Sequence, residues 1–517
     1  MRTGAQGWRS SRGLGAGAAA GLGTGEGTGE GTGEGTGEGT GVGTGVGTGE
    51  GTGVGTGVGS AGAEVGVQPQ PRRVRAERGV AAVPEALRSS FPRVEDRFLW
   101  PWQGVDFSPG FVCFLLYFFV ITSYVVNLGQ VAMAGAIVAV TMGSKDRWKF
   151  PSAMFFLVAF IIVITLTYKS TAYSNYVWTP LEDFVKVFLI MIVGVSVLSN
   201  RARVRFFMFF ALGIYALFPV RGGVFNWFIY SAATQGRVAW NNLFVNPNDY
   251  AALMLFPLGL CLVLFTTEKS RIIKNLTLIG LAVMPMIIFM TQSRGAIVAL
   301  AAGGFAYVVL QGKGRAKSLL AMGGIAVVVV VFAPSSVWTR LSSLQSATES
   351  GNLGTANDNR SAEQRFEIWK VAWSVHEAFP ITGVGWGAYP NAHSSFSRSS
   401  SIETLARGAR DAHNTYLTVL GETGWIGFSL WIGMIASIVA SAIRAMQRIR
   451  AYAPEYAQQI KLMLLSLLSY GVAGMFGSFA GMSFSYLHLA TLIAMSSVAN
   501  RDVDAFVNGS QRLRGES

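Results

Sequence analysis

Apolar residues in this chain come in unbroken runs; they neither alternate nor recur on a single helical face. Phe111-Val-Cys-Phe-Leu-Leu-Tyr-Phe-Phe-Val120 and Ile325-Ala-Val-Val-Val-Val-Val-Phe332 have no polar side at all. A segment that is apolar all round needs an apolar surrounding, and about 20 such residues cross some 30 Å of hydrocarbon. The pattern predicts about twelve membrane helices, near 109–126, 128–143, 152–168, 184–199, 204–220, 249–267, 273–291, 294–311, 317–334, 421–443, 461–480 and 482–498. The expected fold is therefore all-α: a polytopic membrane protein with one large, partly helical outer loop and a disordered N-terminal tail.

The connections between runs give the orientation. Lys145/Arg147/Lys149, Arg201/Arg203/Arg205, Lys269/Arg271/Lys274, Lys313/Arg315/Lys317 and Arg444/Arg448/Arg450 occupy every second one. Basic loops stay in the cytoplasm, so both termini are expected there. Connections 169–183, 221–248 and 335–412 then face the periplasm. The resulting divisions are a tail over 1–100, membrane helices over 101–334, a periplasmic loop over 335–412, further membrane helices over 413–500 and a cytoplasmic tail over 501–517. Gly23 to Gly59 is a Gly-Thr-Gly-Glu/Val repeat with nothing to bury, so it is expected to stay disordered and is given no role. With no signal peptide ahead of it, the first span is expected to direct its own insertion. A connection as long as 335–412 is usually functional or unstructured. Its stretch Ser361-Ala-Glu-Gln-Arg-Phe-Glu-Ile-Trp-Lys-Val-Ala-Trp-Ser-Val-His376 reads as a helix with Phe366, Trp369, Trp373 and Ile368 toward one side, suited to lying in the membrane interface.

Composition narrows the function classes. Hydrophobic residues make up 51% and charged ones 13%, about half the charge of a soluble domain. The net charge of +13 is divided among the loop clusters, which points to membrane orientation and away from nucleic acid. Cys113 and Cys261 both lie within apolar runs, so no disulfide framework or cysteine metal site is expected. There is no His/Asp/Glu group with ligand spacing, no Walker loop and no dinucleotide fingerprint, so no cofactor is expected.

Three candidates for chemistry fall on the outer side. Arg294, in Thr291-Gln-Ser-Arg-Gly295, sits between two spans joined by a very tight turn. A charge at membrane depth costs about 2.5–3.5 kcal/mol at a helix centre, less near an interface. Arg294 either recognises an anionic headgroup through its bidentate fork or snorkels at a helix end. Arg365 opens the aromatic helix, and the alternative to a binding role is a solvated arginine between Glu363 and Glu367. His413 joins Asn414 where the loop re-enters lipid, a pair that could also be only a helix cap. As a neutral imidazole it could take a proton from an acceptor hydroxyl. Glu422 is a further ionisable group near lipid, with a water-facing helix end as the alternative. His376 and His393 read as loop residues and His488 as a packed one.

These residues fall in a recognisable pattern. Asn246-Pro-Asn248, Ser293-Arg-Gly295, Arg365-Phe-Glu-Ile-Trp369, Pro380-Ile-Thr-Gly-Val-Gly-Trp-Gly387, His413-Asn-Thr-Tyr-Leu417 and Glu422-Thr-Gly-Trp-Ile-Gly427 resemble the O-antigen ligase and polymerase superfamily of bacterial membrane glycosyltransferases over about residues 100–500. The resemblance implies transfer of a glycan from an undecaprenyl-diphosphate carrier to a second acceptor at the periplasmic face of the inner membrane, without metal or ATP. It implies that Arg294 and Arg365 hold the diphosphate and that His413 orients or deprotonates the acceptor hydroxyl; Asn248, Asn414 and Glu422 complete the expected substrate-binding set. A ligase, whose acceptor is lipid A–core, fits the motif set best. A polymerase and a protein O-glycosylation enzyme share the motif and stay open. A flippase would instead place ionisable groups near mid-membrane, in paired halves with broken helices.

Overall fold

The computed structural model describes Phe91 and residues 100–513, apart from 126–127, 144, 230–235, 242–243, 312–313, 333–356 and 399–405. Nearly all of the N-terminal tail, including its repeat, and the first part of the long loop lie outside the described residues. Within them the chain is helical and contains no strand. Its helices are α1 (Pro109–Ser123), α2 (Gly129–Met142), α3 (Ser152–Leu166), α4 (Trp178–Val197), α5 (Arg201–Phe228), α6 (Pro247–Thr267), α7 (Arg271–Met290), α8 (Arg294–Leu310), α9 (Arg315–Phe332), α10 (Asn357–Ala378), α11 (Tyr389–Phe396), α12 (Thr415–Ile449), α13 (Pro454–Ala473) and α14 (Ser483–Leu513).

The starts follow local chemistry. Ser108 accepts the Phe111 amide ahead of Pro109, and Asn200 accepts the Arg203 amide. Asn246 accepts the Asn248 amide with Pro247 in the first turn, where its missing N–H costs nothing. Every apolar run named above lies on a helix. Four helices, α5, α6, α7 and α12, are long and apolar enough to cross a membrane; α1, α2, α3 and α8 are shorter apolar helices. On α7, Ile272, Leu276 and Ile279 are exposed while Leu281, Met284 and Ile288 are buried, so both faces are apolar. That suits a helix with protein on one side and lipid on the other.

Several helices depart from the expected boundaries, two of them at functional or charged segments. α12 begins at Thr415 and runs through a break at Gly424 (φ 59°, ψ −167°). α14 continues through charged residues to Leu513. There Arg501 donates to the Ser199 carbonyl and Asp504 pairs with Arg448, which favours continuing the helix over fraying.

Packing centres on the last three helices. α12 packs along α3, α13 and α14, while α13 also carries α8 and the second half of α6, and α14 packs on α4. The long-range polar contacts sort into two sets. One joins the ends that carry the basic connections: Arg203 with Asp146 and Asp106, Arg205 with Glu268, Arg201 with Asp502, and Gln459 with Thr267. The other joins the opposite ends, around residues 171, 237–248, 291, 384, 412–415 and 474–477.

Candidate site at the rim of the helix bundle

Arg294 opens α8 immediately after a turn secured from two sides. The Thr291 carbonyl, 2.7 Å away, accepts from Arg237 Nε. Gln292 adopts a left-handed conformation (φ 53°) and its side-chain amide donates to the Gly236 carbonyl at 3.0 Å. The second arm of Arg237 donates from Nη2 to Asn248 Oδ1 at 2.6 Å, tying the turn to the start of α6. Asp249 lies within electrostatic reach of Arg237 and Asp411.

His413 approaches from the long loop. Trp369 of α10 donates its indole N–H to the Ala412 carbonyl at 2.9 Å, which fixes the strand just ahead of the histidine. His413 then takes a left-handed backbone (φ 48°), unusual outside glycine and worth roughly 1–3 kcal/mol of strain when imposed. Asn414 Oδ1 accepts the amides of Tyr416 and Leu417 and so caps α12. Thr415 is anchored on the α13–α14 connection through its amide to the Gly474 carbonyl, 2.7 Å, and its hydroxyl to the Gly477 carbonyl, 2.6 Å.

That connection relates the two approaches. A Cβ at Gly295 would lie 2.3 Å from the Phe476 Cβ, so the first turn of α8 touches residue 476 while Thr415 touches 474 and 477. Gly295, next to Arg294, and Thr415, two residues after His413, therefore contact the same short turn. Arg365 is near enough to His413 to act on its charge, together with Asp411 and Arg410. Arg294 and Arg365 are both partly buried, and both engage neighbouring groups. Burial is the main influence on the His413 imidazole and lowers its pKa below the ordinary 6.5; Arg365 and Arg410 act in the same direction and Asp411 opposes them. Burial thus favours the neutral ring, the form a proton acceptor needs.

Other residues are placed differently from expectation. Glu422 does not stand at a water-facing end: it is buried at 4% exposure, with its carboxylate accepting the backbone amides of Gly387 and Tyr389. The Gly383-Val-Gly385 segment crosses the α12 break at backbone contact. Val384 donates to the Gly421 carbonyl and Gly385 to that of Glu422, while Trp425 donates back to Pro380. Gly383 (φ 68°) and Gly424 (φ 59°) have no room for a Cβ, which would lie 2.2 Å and 2.3 Å from the facing backbone. Glu422 and Asn414 thus hold backbone in place, and the carboxamide oxygen of Asn248 is engaged by Arg237. On α10, Phe366 and Trp373 are exposed, but Trp369 turns to the His413 strand and Ile368 is buried, so the aromatic face is divided. Below Thr415 a cavity of about 100 Å³ opens between α12, α13 and α14, lined mainly by Tyr416, Trp431, Leu467, Tyr470 and Tyr486.

The sequence reading missed Arg237. It is the one charged residue from 222 to 248, a stretch that ends in Asn-Pro-Asn, and that isolation was the available signal.

Arg365 and His413 thus lie close together, and both Arg294 and His413 have chain neighbours that contact the 474–477 turn. Residues 279–432 match the family model described as O-antigen ligase, consistent with the O-antigen ligase and polymerase superfamily. The matched stretch contains Arg294, Arg365 and His413. No curated protein matches the chain.

Proposed function

We propose that this protein is a periplasm-facing glycosyltransferase of the inner membrane that moves a glycan from an undecaprenyl-diphosphate carrier to an acceptor hydroxyl, with lipid A–core as the acceptor. The observation that carries the reading is the proximity of Arg365 to His413, with the 474–477 turn contacted by the chain neighbours of both His413 and Arg294, inside the region the ligase family model matches. The division of polar contacts between two ends supports about twelve spans with the basic ends in the cytoplasm.

In this mechanism Arg294 and Arg365 bind the diphosphate and oppose the charge that grows on it as the sugar C1–O bond breaks. The acceptor oxygen forms the new bond to C1 from the opposite face, and its proton passes to His413. The diphosphate leaves on the carrier with inversion at C1. Because the leaving group is already activated, positioning and charge neutralisation supply the catalysis, and neither ATP nor metal is needed. Purified protein assayed with EDTA should keep its activity; loss restored by added metal would refute that part.

A deletion strain tests the acceptor. Long carrier-linked glycan that never reaches lipid A is expected. Single repeat units on the carrier would mark a polymerase, and loss of glycan from proteins alone would mark a protein O-glycosylation enzyme.

A further inference from the structure

Arg237 belongs to no motif named above, yet it makes the contacts that hold the Arg294 turn. Its Nε binds the Thr291 carbonyl and its Nη2 binds Asn248 Oδ1, at 2.7 Å and 2.6 Å. The two acceptors lie on different helices: Thr291 ends α7, three residues before Arg294, and Asn248 is in the first turn of α6. The neighbouring peptides reinforce the join, since Val238 donates to the Met290 carbonyl and Gln292 to that of Gly236. A guanidinium spans two acceptors in a fixed plane, whereas an ammonium is a point donor and cannot keep both in register. These two acceptors are neutral oxygens on separate helix ends, and the Asp249 carboxylate lies within electrostatic reach of the same guanidinium. The fork sets the distance between two helix ends.

We propose that Arg237 is a positioning residue for glycan transfer: a strut that fixes the Thr291–Arg294 turn against the start of α6 and thereby aims Arg294 at the donor diphosphate. The inference rests on the donor-binding reading of Arg294. It also accounts for Asn248, whose carboxamide is the strut's far anchor and not a ligand for sugar.

The test uses the full-length protein in membranes and, purified, in detergent micelles. Arg237→Ala and Asn248→Ala should each accumulate normally and lower transfer at saturating donor, Arg237→Ala by tenfold or more. Arg237→Lys should rescue less than half of that loss. Combined with Arg294→Lys, which leaves a charge to measure against, Arg237→Ala should add little further loss, because a strut acts only through what it aims. Hydrogen exchange of the 290–296 peptide should quicken in Arg237→Ala without a matching change in 203–210. Unchanged exchange there, or losses that multiply fully in the double variant, would overturn the strut. If exchange quickens but neither Arg294→Ala nor Arg237→Ala lowers transfer, the strut holds the turn but the donor-binding reading of Arg294, and with it the positioning role, falls. Should Arg237→Ala fail to accumulate, Asn248→Ala carries both readouts, since it removes one anchor and leaves the arginine in place.

Discussion

The two ends of the bundle both collect arginines but use them in opposite ways. At the basic end, Arg203 and Arg205 are buried and closed off by carboxylates: Arg205 grips Glu268 through Nε and Nη2 at 2.6 and 2.9 Å, and Arg203 meets Asp146 at 2.5 Å. At the other end Arg237 binds neutral oxygens, Arg365 bears on a neutral histidine, and the nearby backbone is left-handed at Gln292 and His413. Matched charge in a low dielectric locks helices together and leaves little field for anything else. A cluster of cationic side chains beside strained backbone is the kind of place where an anionic ligand can be bound. The same residue type thus ties helices together at one end and, on the proposed reading, binds substrate at the other.

Substitutions can break the contrast. The largest effect is expected at the rim: Arg294→Ala, Arg365→Ala and His413→Ala should each lower glycan transfer by a hundredfold or more, about 2.7 kcal/mol of barrier, with membrane accumulation unchanged on immunoblots. Next comes the basic end, where Arg205→Ala should cost about 3–5 kcal/mol by stranding Glu268 in the interior, seen as lost accumulation or a lower melting temperature. Replacing both partners, Arg205→Met with Glu268→Leu, should recover most of that stability; no pairwise replacement should restore the rim.

A third experiment sharpens the role of His413. Its pKa is lowered, so the active neutral form persists below pH 6.5, and kcat/KM should fall only as pH drops through that lower value. The sign for stability is the same: the unfolded chain takes up the proton first, so His413 subtracts stability as pH falls below 6.5. An acidic limb above 6.5 would count against this histidine as the base. A smaller effect tests the strain. His413→Gly should be more stable than His413→Ala by about 1 kcal/mol, because glycine accepts the left-handed backbone, while both remain inactive. Smallest is the cap: Asn414→Ala should cost about 1 kcal/mol in melting experiments, and Asn414→Asp should recover most of it.

The helices were legible because unbroken apolar runs leave few alternatives, and the basic clusters marked which ends belong together. The fate of each charge was less legible. Arg201, Arg203 and Arg205 read only as a basic cluster that sets orientation, yet all three are buried against carboxylate partners at 502, 146 and 268 that are far away in sequence. Glu422 read as a group near substrate, but the donors to its carboxylate are backbone amides at 387 and 389, some 35 residues earlier, and periodicity carries no trace of that. Arg294 and His413 could be singled out by position alone; that a turn at 474–477 links them could not, because a glycine-rich connection looks the same whether or not it is touched from both sides.

The seam between Gly383-Val-Gly385 and the Gly424 break has a consequence for biogenesis. The earlier strand has no complete set of hydrogen-bond partners until a helix made dozens of residues later has been threaded into the bilayer. Replacing either glycine by alanine should therefore act on maturation: fewer molecules reach a protease-resistant state, and those that do work at the normal rate.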